Sequence, residues 1–388
     1  MNLSRVLWLF LVLSLALSAC NINNEPLGVR RELVDEGDLG KILKKAFRPA
    51  PDDTTLSRVL NTGRSPYLVA GEIQNLTGEI LLAFSKIAGI KQAKLVLPVH
   101  LVAGPGSSFN PSVHRVTRAW QEDTVTAKNF QISDYDPMPV GRAVFPSLDS
   151  LRKSVDKDTL AFVLDSTYVQ RLANDSVNVL IRMMDPGLML ELHSRQNGVK
   201  APFLEILQTR AGKADTTLRF APLADAFIFR RALPLPEDRL YVGNGERRLT
   251  YLRFSTLDSL PANATVNRAI LTLHIDREHT FINQDGLVSA GFLVNADSLK
   301  VPKPDSLYFS LIANATSSNT LSKDADMAEF NLTLSAQAWI NSPEINGGLT
   351  IEPTAAFWDL QRVAFHTAAS NPALAPKLTL DYTTPPGK

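Results

Sequence analysis

The chain repeats itself. The stretch "GEILLAFSKI" (78–87) resembles "RLTYLRFSTL" (248–257), which sets Phe84-Ser85 against Phe254-Ser255 at an offset of 170 residues. "IKQAKLVLPV" (90–99) resembles "VNRAILTLHI" (266–275), with Ala93, Leu95 and Leu97 against Ala269, Leu271 and Leu273 at an offset of 176. Upstream, "YLVAGE" (67–72) resembles "LYVGNGE" (240–246). Downstream, "LELHS" (190–194) matches "VAFHT" (363–367), and "APFLEIL" (201–207) matches "APKLTLD" (375–381). Five matches in one order at nearly one offset define two copies of a single domain. The copies are placed at 51–212 and 213–388, the first being the more divergent.

Each copy reads as all-β. The pattern Ala-x-Leu-x-Leu has the period of two that a half-buried strand requires. "SVNVLIRMM", "LYFSLIA", "GGLTIEP" and "PKLTLDYT" read the same way, and "NLTG", "DPG", "RQNG", "LPAN" and "NGG" punctuate them as turns. Short strands with Gly, Pro and Asn breaks predict two tandem β-sandwich domains of jelly-roll type. Helix is confined to short pieces near Ser147–Lys153 and Ser335–Ile340. In the pair His193–Ser194, alternation places His193 on the face opposite Leu190 and Leu192. His366–Thr367 recurs in the second copy, so the pair marks a repeated strand before it marks a reactive site.

The first 20 residues read as an export signal. Arg5 supplies the positive end and Val6–Leu17 an apolar run too short to span a bilayer comfortably. Leu17-Ser18-Ala19-Cys20 resembles a bacterial lipobox, and Cys20 is the chain's one cysteine. A lone thiol in an exported protein calls for a use, and lipid attachment at Cys20 supplies one; a plain signal peptide with an incidental cysteine is the alternative. A polar tether, 21–50, follows. Within it "LGKILKKAF" (39–47) suits a short amphipathic helix or, preferably, a loop or edge piece packed on the first copy. The expected location is the bacterial cell envelope, lipid-anchored and at the outer membrane.

A formal charge of +1 with no dense basic run gives no pull on nucleic acid. The chain has no His-Glu-x-x-His, Gly-x-Ser-x-Gly, P-loop or cysteine cluster. Its six histidines show no metal-ligand spacing. No cofactor is therefore expected. One loop, "DADMAE", offers Asp324, Asp326 and Glu329 as hard oxygen ligands for a structural calcium ion, but it lacks the glycine and the ligand count of an EF-hand. An exposed acidic turn is the preferred reading. Sugars stack on aromatic rings. Trp120 and Trp339 fit core positions. Phe357 and Trp358, in an insertion that only the second copy carries, are the better ligand candidates.

The second copy then carries a specific resemblance. It opens "DAFIFRRALPLPEDRLYVGNGERRLTYLRFSTLDSLPANATVNRAILTLHI" and ends "AQAWINSPEINGGLTIEP…VAFHTAASNPALAPKLTLDYT". This is similar to the DNRLRE domain, grouped with carbohydrate-binding module family 96. Asp225, Phe254, Leu260-Pro261, Ala269, Trp339, Gly347-Gly348 and Pro376 to Tyr382 fall at the family's positions. The first copy keeps Phe84, Ala93, Leu95, Leu97 and "VHRVTRAWQEDTVT" but lacks the Leu-Pro hairpin. The resemblance implies a β-sandwich and non-catalytic binding of glycan or surface polymer. Three readings follow: an envelope lipoprotein that binds polysaccharide, an envelope scaffold that binds protein, and, least favoured, a polysaccharide-active enzyme. The enzyme would need paired carboxylates or a Tyr/His/Arg set.

Overall fold

The computed structural model describes residues 42–49, 54–57, 62–153, 155–172, 175–209, 214–243, 248–282, 286–292, 315–353 and 362–385. The strands of the first repeat are β3 (Tyr67–Ile73), β4 (Leu76–Phe84), β5 (Ile90–Ala103), β6 (Ser112–Val116), β7 (Tyr135–Pro139), β8 (Gly141–Val144), β9 (Thr159–Leu164), β10 (Val177–Arg182), β11 (Leu188–His193) and β12 (Phe203–Gln208). Those of the second are β15 (Arg239–Gly243), β16 (Arg248–Leu252), β17 (Thr265–His274), β18 (Gly286–Phe292), β19 (Ala315–Leu321), β20 (Met327–Asn331), β21 (Leu349–Pro353), β22 (Arg362–His366) and β23 (Lys377–Thr383). Two further pairs precede them: β1 (Ile42–Phe47) with β2 (Thr54–Ser57), and β13 (Thr216–Phe220) with β14 (Ala224–Arg231). Short helices α1 (Leu148–Lys153), α2 (Ser166–Leu172) and α3 (Thr333–Asn341) complete an all-β protein, and α1 and α3 lie where the sequence put helix.

Every strand pairing named here is antiparallel. In the first unit β11-β3-β4-β10-β6-β7 run side by side, and β5 carries β12 on one side and β9 on the other. The second unit repeats this arrangement. There β22-β15-β16-β21-β18-β19 form one sheet, and β17 stands between β23 and β20. Period-two burial explains the layers. Ala93, Leu95, Leu97 and Val99 of β5 face a core shared with Leu68, Ile80, Leu82, Val179, Leu190 and Leu192 of the larger sheet. Ala269, Leu271 and Leu273 do the same in the second unit against Leu240, Leu252, Ile351 and Phe365. Trp339, on α3, is 1% exposed and plugs that second core.

The two leading pairs of strands are exchanged. β13 and β14 follow the first repeat, and β13 pairs with β12 while β14 pairs with β4, so both complete the first unit. β1 and β2 precede the first repeat, yet β1 pairs with β23 and β2 with β16 in the second. The registers show that these are equivalent strands. Thr217 lies opposite Leu207, and Lys44 lies opposite Asp381. Ala226 lies opposite Leu81, and Thr54 lies opposite Tyr251. Each repeat therefore begins with two strands that it gives to the other. The division at 212/213 follows the sequence repeat, while the sheets cross it. The loop or edge piece expected on the first copy is, over residues 42–47, an edge strand of the second unit's sheet and not the first's.

Other contacts join the units. Gln74 and Asn75 turn the β3–β4 hairpin with φ of 49° and 63°, the left-handed pair of a tight type I′ loop. Gln74 Nε2 donates to Thr280 O at 3.1 Å, and Arg362 donates to Gln74 Oε1. Inside the first unit, Glu79 of β4 is 1% exposed and accepts from Arg182 Nε of β10 at 2.6 Å and Arg230 Nε of β14 at 2.9 Å. A buried carboxylate needs such partners. One of them is supplied by the exchanged strand.

The exchange makes a long-range prediction. Phe47 of β1 is 4% exposed inside the second unit's core. Phe47→Ala is expected to cost about 3 kcal/mol, as for a large-to-small core change. Hydrogen exchange should then show lost protection in β17 and β23, far along the chain, with β5 and β12 spared. Loss centred on β12 would mean that β1 belongs to the first unit.

Candidate functional site

The region around His193 gathers most of the first unit's chemistry. β5 changes partners at this point: Val99 pairs with Leu192 and Leu101 with Glu191, leaving His100 as the extra residue of a β-bulge. A bulge re-aims the side chain it carries. His100 Nδ1 lies 2.8 Å from Asp156 Oδ1, and His193 Nε2 reaches the same oxygen at 2.8 Å. Lys200 Nζ sits 3.0 Å from Asp156 Oδ2. Tyr67, opposite His193 in register, stacks on His100 with ring centroids 4.2 Å apart. Asp156 adopts a φ of 62°, and its N–H donates to His100 O at 3.1 Å. The His100 hydrogen bond, with those of Lys200 and His193, holds the Asp156 carboxyl well below its ordinary range, while burial pushes His193 down. His193 is on the face opposite Leu190 and Leu192, as alternation required, but that face is itself covered and His193 is buried.

Two imidazoles and a carboxylate within 4.8 Å of one another have the composition of a metal site. The proton inventory opposes it. Asn197 Nδ2 donates to Pro66 O, which fixes the amide, and the same nitrogen faces His193 Nδ1 at 2.9 Å. His193 Nδ1 is therefore the acceptor, and Nε2 carries the proton that it gives to Asp156. A metal would need that nitrogen bare, beside the Lys200 ammonium. The cluster is instead a hydrogen-bond hub that ties the 155–157 turn to β5 and β11. The corresponding corner of the second unit is built alike. Arg239, opposite His366 in register, donates to Asp276, which also faces His279 Nδ1 at 3.0 Å. Asp276, Glu278 and His279 are close enough for a metal, but Arg239 occupies the carboxylate they would offer.

Asp225 opens the exchanged strand β14 and is 0% exposed. Its Oδ2 accepts the Arg195 N–H at 2.6 Å, and its Oδ1 has no hydrogen-bond partner. The Arg195 guanidinium is taken by Glu122, at 2.8 and 2.6 Å, and lies 3.8 Å from Asp225 Oδ1. Burial, with the Glu122 carboxylate close by, pushes Asp225 up to about 7. Three loops and strands thus converge on one shared guanidinium.

A cleft of about 820 Å³ opens on the second unit, within the size range of small-ligand sites. Its wall is the connector from β14 into β15, including Pro234, Asp238 and Arg239, and the chain after β1 adds Arg48. Tyr241 O–H donates to Pro236 O at 3.2 Å and braces that wall. The Arg248 guanidinium lies 5.9 Å from the Tyr241 ring centroid. Asp238 and Asp276 engage Arg239, and Arg48, Arg248 and Glu237 also line the opening.

The sequence candidates fall elsewhere. Cys20, Phe357 and Trp358 lie outside the described residues. Asp324, Asp326 and Glu329 are exposed. Their carboxylates do not converge to metal-binding distance. Asp326 Oδ1 lies 3.4 Å from Arg277 Nη2, and Glu329 Oε1 takes the Thr272 hydroxyl at 3.4 Å. Asp324 and Asp326 lie in the turn before β20, and Glu329 lies within β20. Trp120 is half-buried against the small cluster of Val116, Val125 and Phe130 that covers the back of the larger sheet. The His100–Asp156–His193 hub was invisible in sequence, since its members stand 56 and 37 residues from Asp156.

No family model matches the chain, and no curated relative does. Among solved structures it is similar to the C-terminal domain of the Streptococcus agalactiae AgI/II polypeptide BspA, at 10% identity over 88% of this chain and 91% of that one, with a TM-score of 0.19. A mutant BspA C-terminal domain scores 0.21 at 10% identity over 85% and 90%. The C-terminal domain of the Streptococcus pyogenes antigen I/II-family protein AspA scores 0.20 at 8% identity over 88% and 91%. Likeness at this level leaves function to be argued from the site.

Asp225 gives a pH prediction. Between its unfolded value of 3.8 and about 7, the folded chain holds a proton that the unfolded chain has lost. Its contribution to stability therefore falls as pH rises through that window and is flat above it. Asp225→Asn keeps the acceptor for Arg195 N–H without the charge. Unfolding free energy of the variant minus that of the parent should grow by a few kcal/mol from pH 4 to pH 8, since each pKa unit is worth ~1.4 kcal/mol. A pH-independent difference would show that Asp225 is ionised throughout.

Proposed function

We propose that this protein is a lipid-anchored, non-catalytic envelope protein that binds a glycan or related surface polymer carrying acidic groups. The observation that carries the reading is the 820 Å³ cleft. Pro234 and Pro236 line its wall, and Arg48 and Arg248 stand among its lining residues. A guanidinium takes a carboxylate in two parallel hydrogen bonds, which suits uronic-type or phosphorylated polymers. The leader with Leu17-Ser18-Ala19-Cys20 supports envelope placement, and the resemblance to a carbohydrate-binding module supports the ligand class. The titratable groups gathered at His193 and Asp276 are engaged in holding loops to strands, which supports a binding role over a catalytic one.

A glycan array on the mature protein is the direct test. Arg48→Ala and Arg248→Ala together are expected to weaken binding by about tenfold or more, the scale of a lost charge-assisted hydrogen bond. The thermal midpoint should stay close to the parent's. Undiminished binding in that variant, with loss in Trp358→Ala, would move the site to the insertion. Retention of envelope proteins alone would favour the assembly role. Cys20→Ala should release the chain from the membrane fraction.

A further inference from the structure

We propose that β1–β2 of one copy of this chain can complete the second unit of another, so that the intramolecular strand exchange has an intermolecular form. The partner is a second copy of the same chain, and the surface is the edge formed by β23 and β16. Among the described residues, β1 and β2 pair only with strands of the second unit. Their side chains do likewise. Phe47 enters the second core, Lys45 Nζ donates to Ser259 Oγ at 2.8 Å, and Tyr241 N–H donates to Thr55 Oγ1 at 2.9 Å. These contacts are identical whichever chain supplies the segment, which is what makes strand exchange between copies inexpensive.

The two exchanged pairs differ in how they are held. β13–β14 is bounded on both sides, since 209–215 ties it to β12 and 232–238 to β15. It cannot leave the first unit without displacing the second. Among the described residues, β1–β2 is joined to the rest of the fold only by the connector 58–66 that leads into β3. It is therefore the pair that can pass to a neighbour while every other strand stays in place. Within one chain the short connector gives β1–β2 a high effective concentration, on the order of millimolar. The monomer accordingly dominates in dilute solution, and the exchanged species grows as chains are crowded.

Disulfide trapping in the full mature chain, with Cys20→Ala to remove the lone thiol, tests this. Lys44 and Asp381 face each other across β1 and β23. Directly opposed residues of an antiparallel pair are within disulfide reach. The double variant Lys44→Cys/Asp381→Cys should give a cross-linked monomer, whereas Lys44→Cys/Leu207→Cys, which would report an unexchanged chain, should not. The two single variants, Lys44→Cys and Asp381→Cys, are then refolded together at high protein concentration and oxidised. A mixed disulfide dimer is expected, several-fold above that formed when Lys44→Cys is paired with Val199→Cys on a fully exposed loop. Its ratio to monomer should fall about tenfold on tenfold dilution during refolding. A mixed dimer no more abundant than the Val199 control, while the double variant cross-links within one chain, would overturn the proposal. Cross-linking of Lys44→Cys/Leu207→Cys would overturn the exchange itself.

Discussion

The backbone pairing of β1 with β23, and of β14 with β4, is the constraint on which the rest of the molecule depends. Each pairing takes a strand out of its own repeat and commits it to the other. Two sandwiches joined by a linker would be free to move relative to one another, as adjacent domains usually are. Here separation would break two sheets. The connectors that cross between the units are held as well. Gln74 is bonded to Arg362 and Thr280 at the tip of the β3–β4 hairpin, and Phe281 of the second repeat packs on the first core.

Buried polar groups reinforce the same junctions. Glu79, Asp225 and Asp156 each stand where backbone from different parts of the chain must meet. Glu79 binds the exchanged β14 to β10, and Asp225 fixes the entry of β14 against Arg195. Asp156 anchors a turn to two strands through two imidazoles. Unpaired, such groups would each cost more than an apolar residue in their place. Paired, they favour one register over slipped alternatives. The near-complete pairing of Asp156 and Asp276 also explains why these clusters, despite the right elements, make poor metal sites.

Much of this architecture was legible in the chain. Period-two alternation in "AKLVLPV" and "AILTLHI" gave strands whose inward residues are the observed core, and the repeat gave two equivalent sandwiches. The exchange was not legible, for a physical reason. β1 and β13 are equivalent by register, so either satisfies the same edge, and periodicity is unchanged by which unit accepts which strand. Connectivity is decided by connectors and by contacts distant in sequence, such as Arg230 with Glu79. The hub at Asp156 was hidden likewise. It needs the β5 bulge to turn His100 toward His193, and a bulge leaves no periodic trace.

The exchange also shapes the cleft proposed as the binding site. The cleft combines Arg48, on the chain that leaves β1, with Tyr241 and Arg248 from the second repeat. In an unexchanged chain Arg48 would lie at the first unit, and the opening would lose that exposed guanidinium from its lining. The cleft is thus a product of the topology and not of either repeat alone. This accounts for two copies of one sandwich presenting different surfaces. The first unit receives β13–β14 with its buried Asp225, and the second receives β1–β2 with an exposed arginine beside it. Divergence between the repeats need not then mean that one is a spacer, because each contributes strands to the other's fold and one contributes a charge to the other's opening.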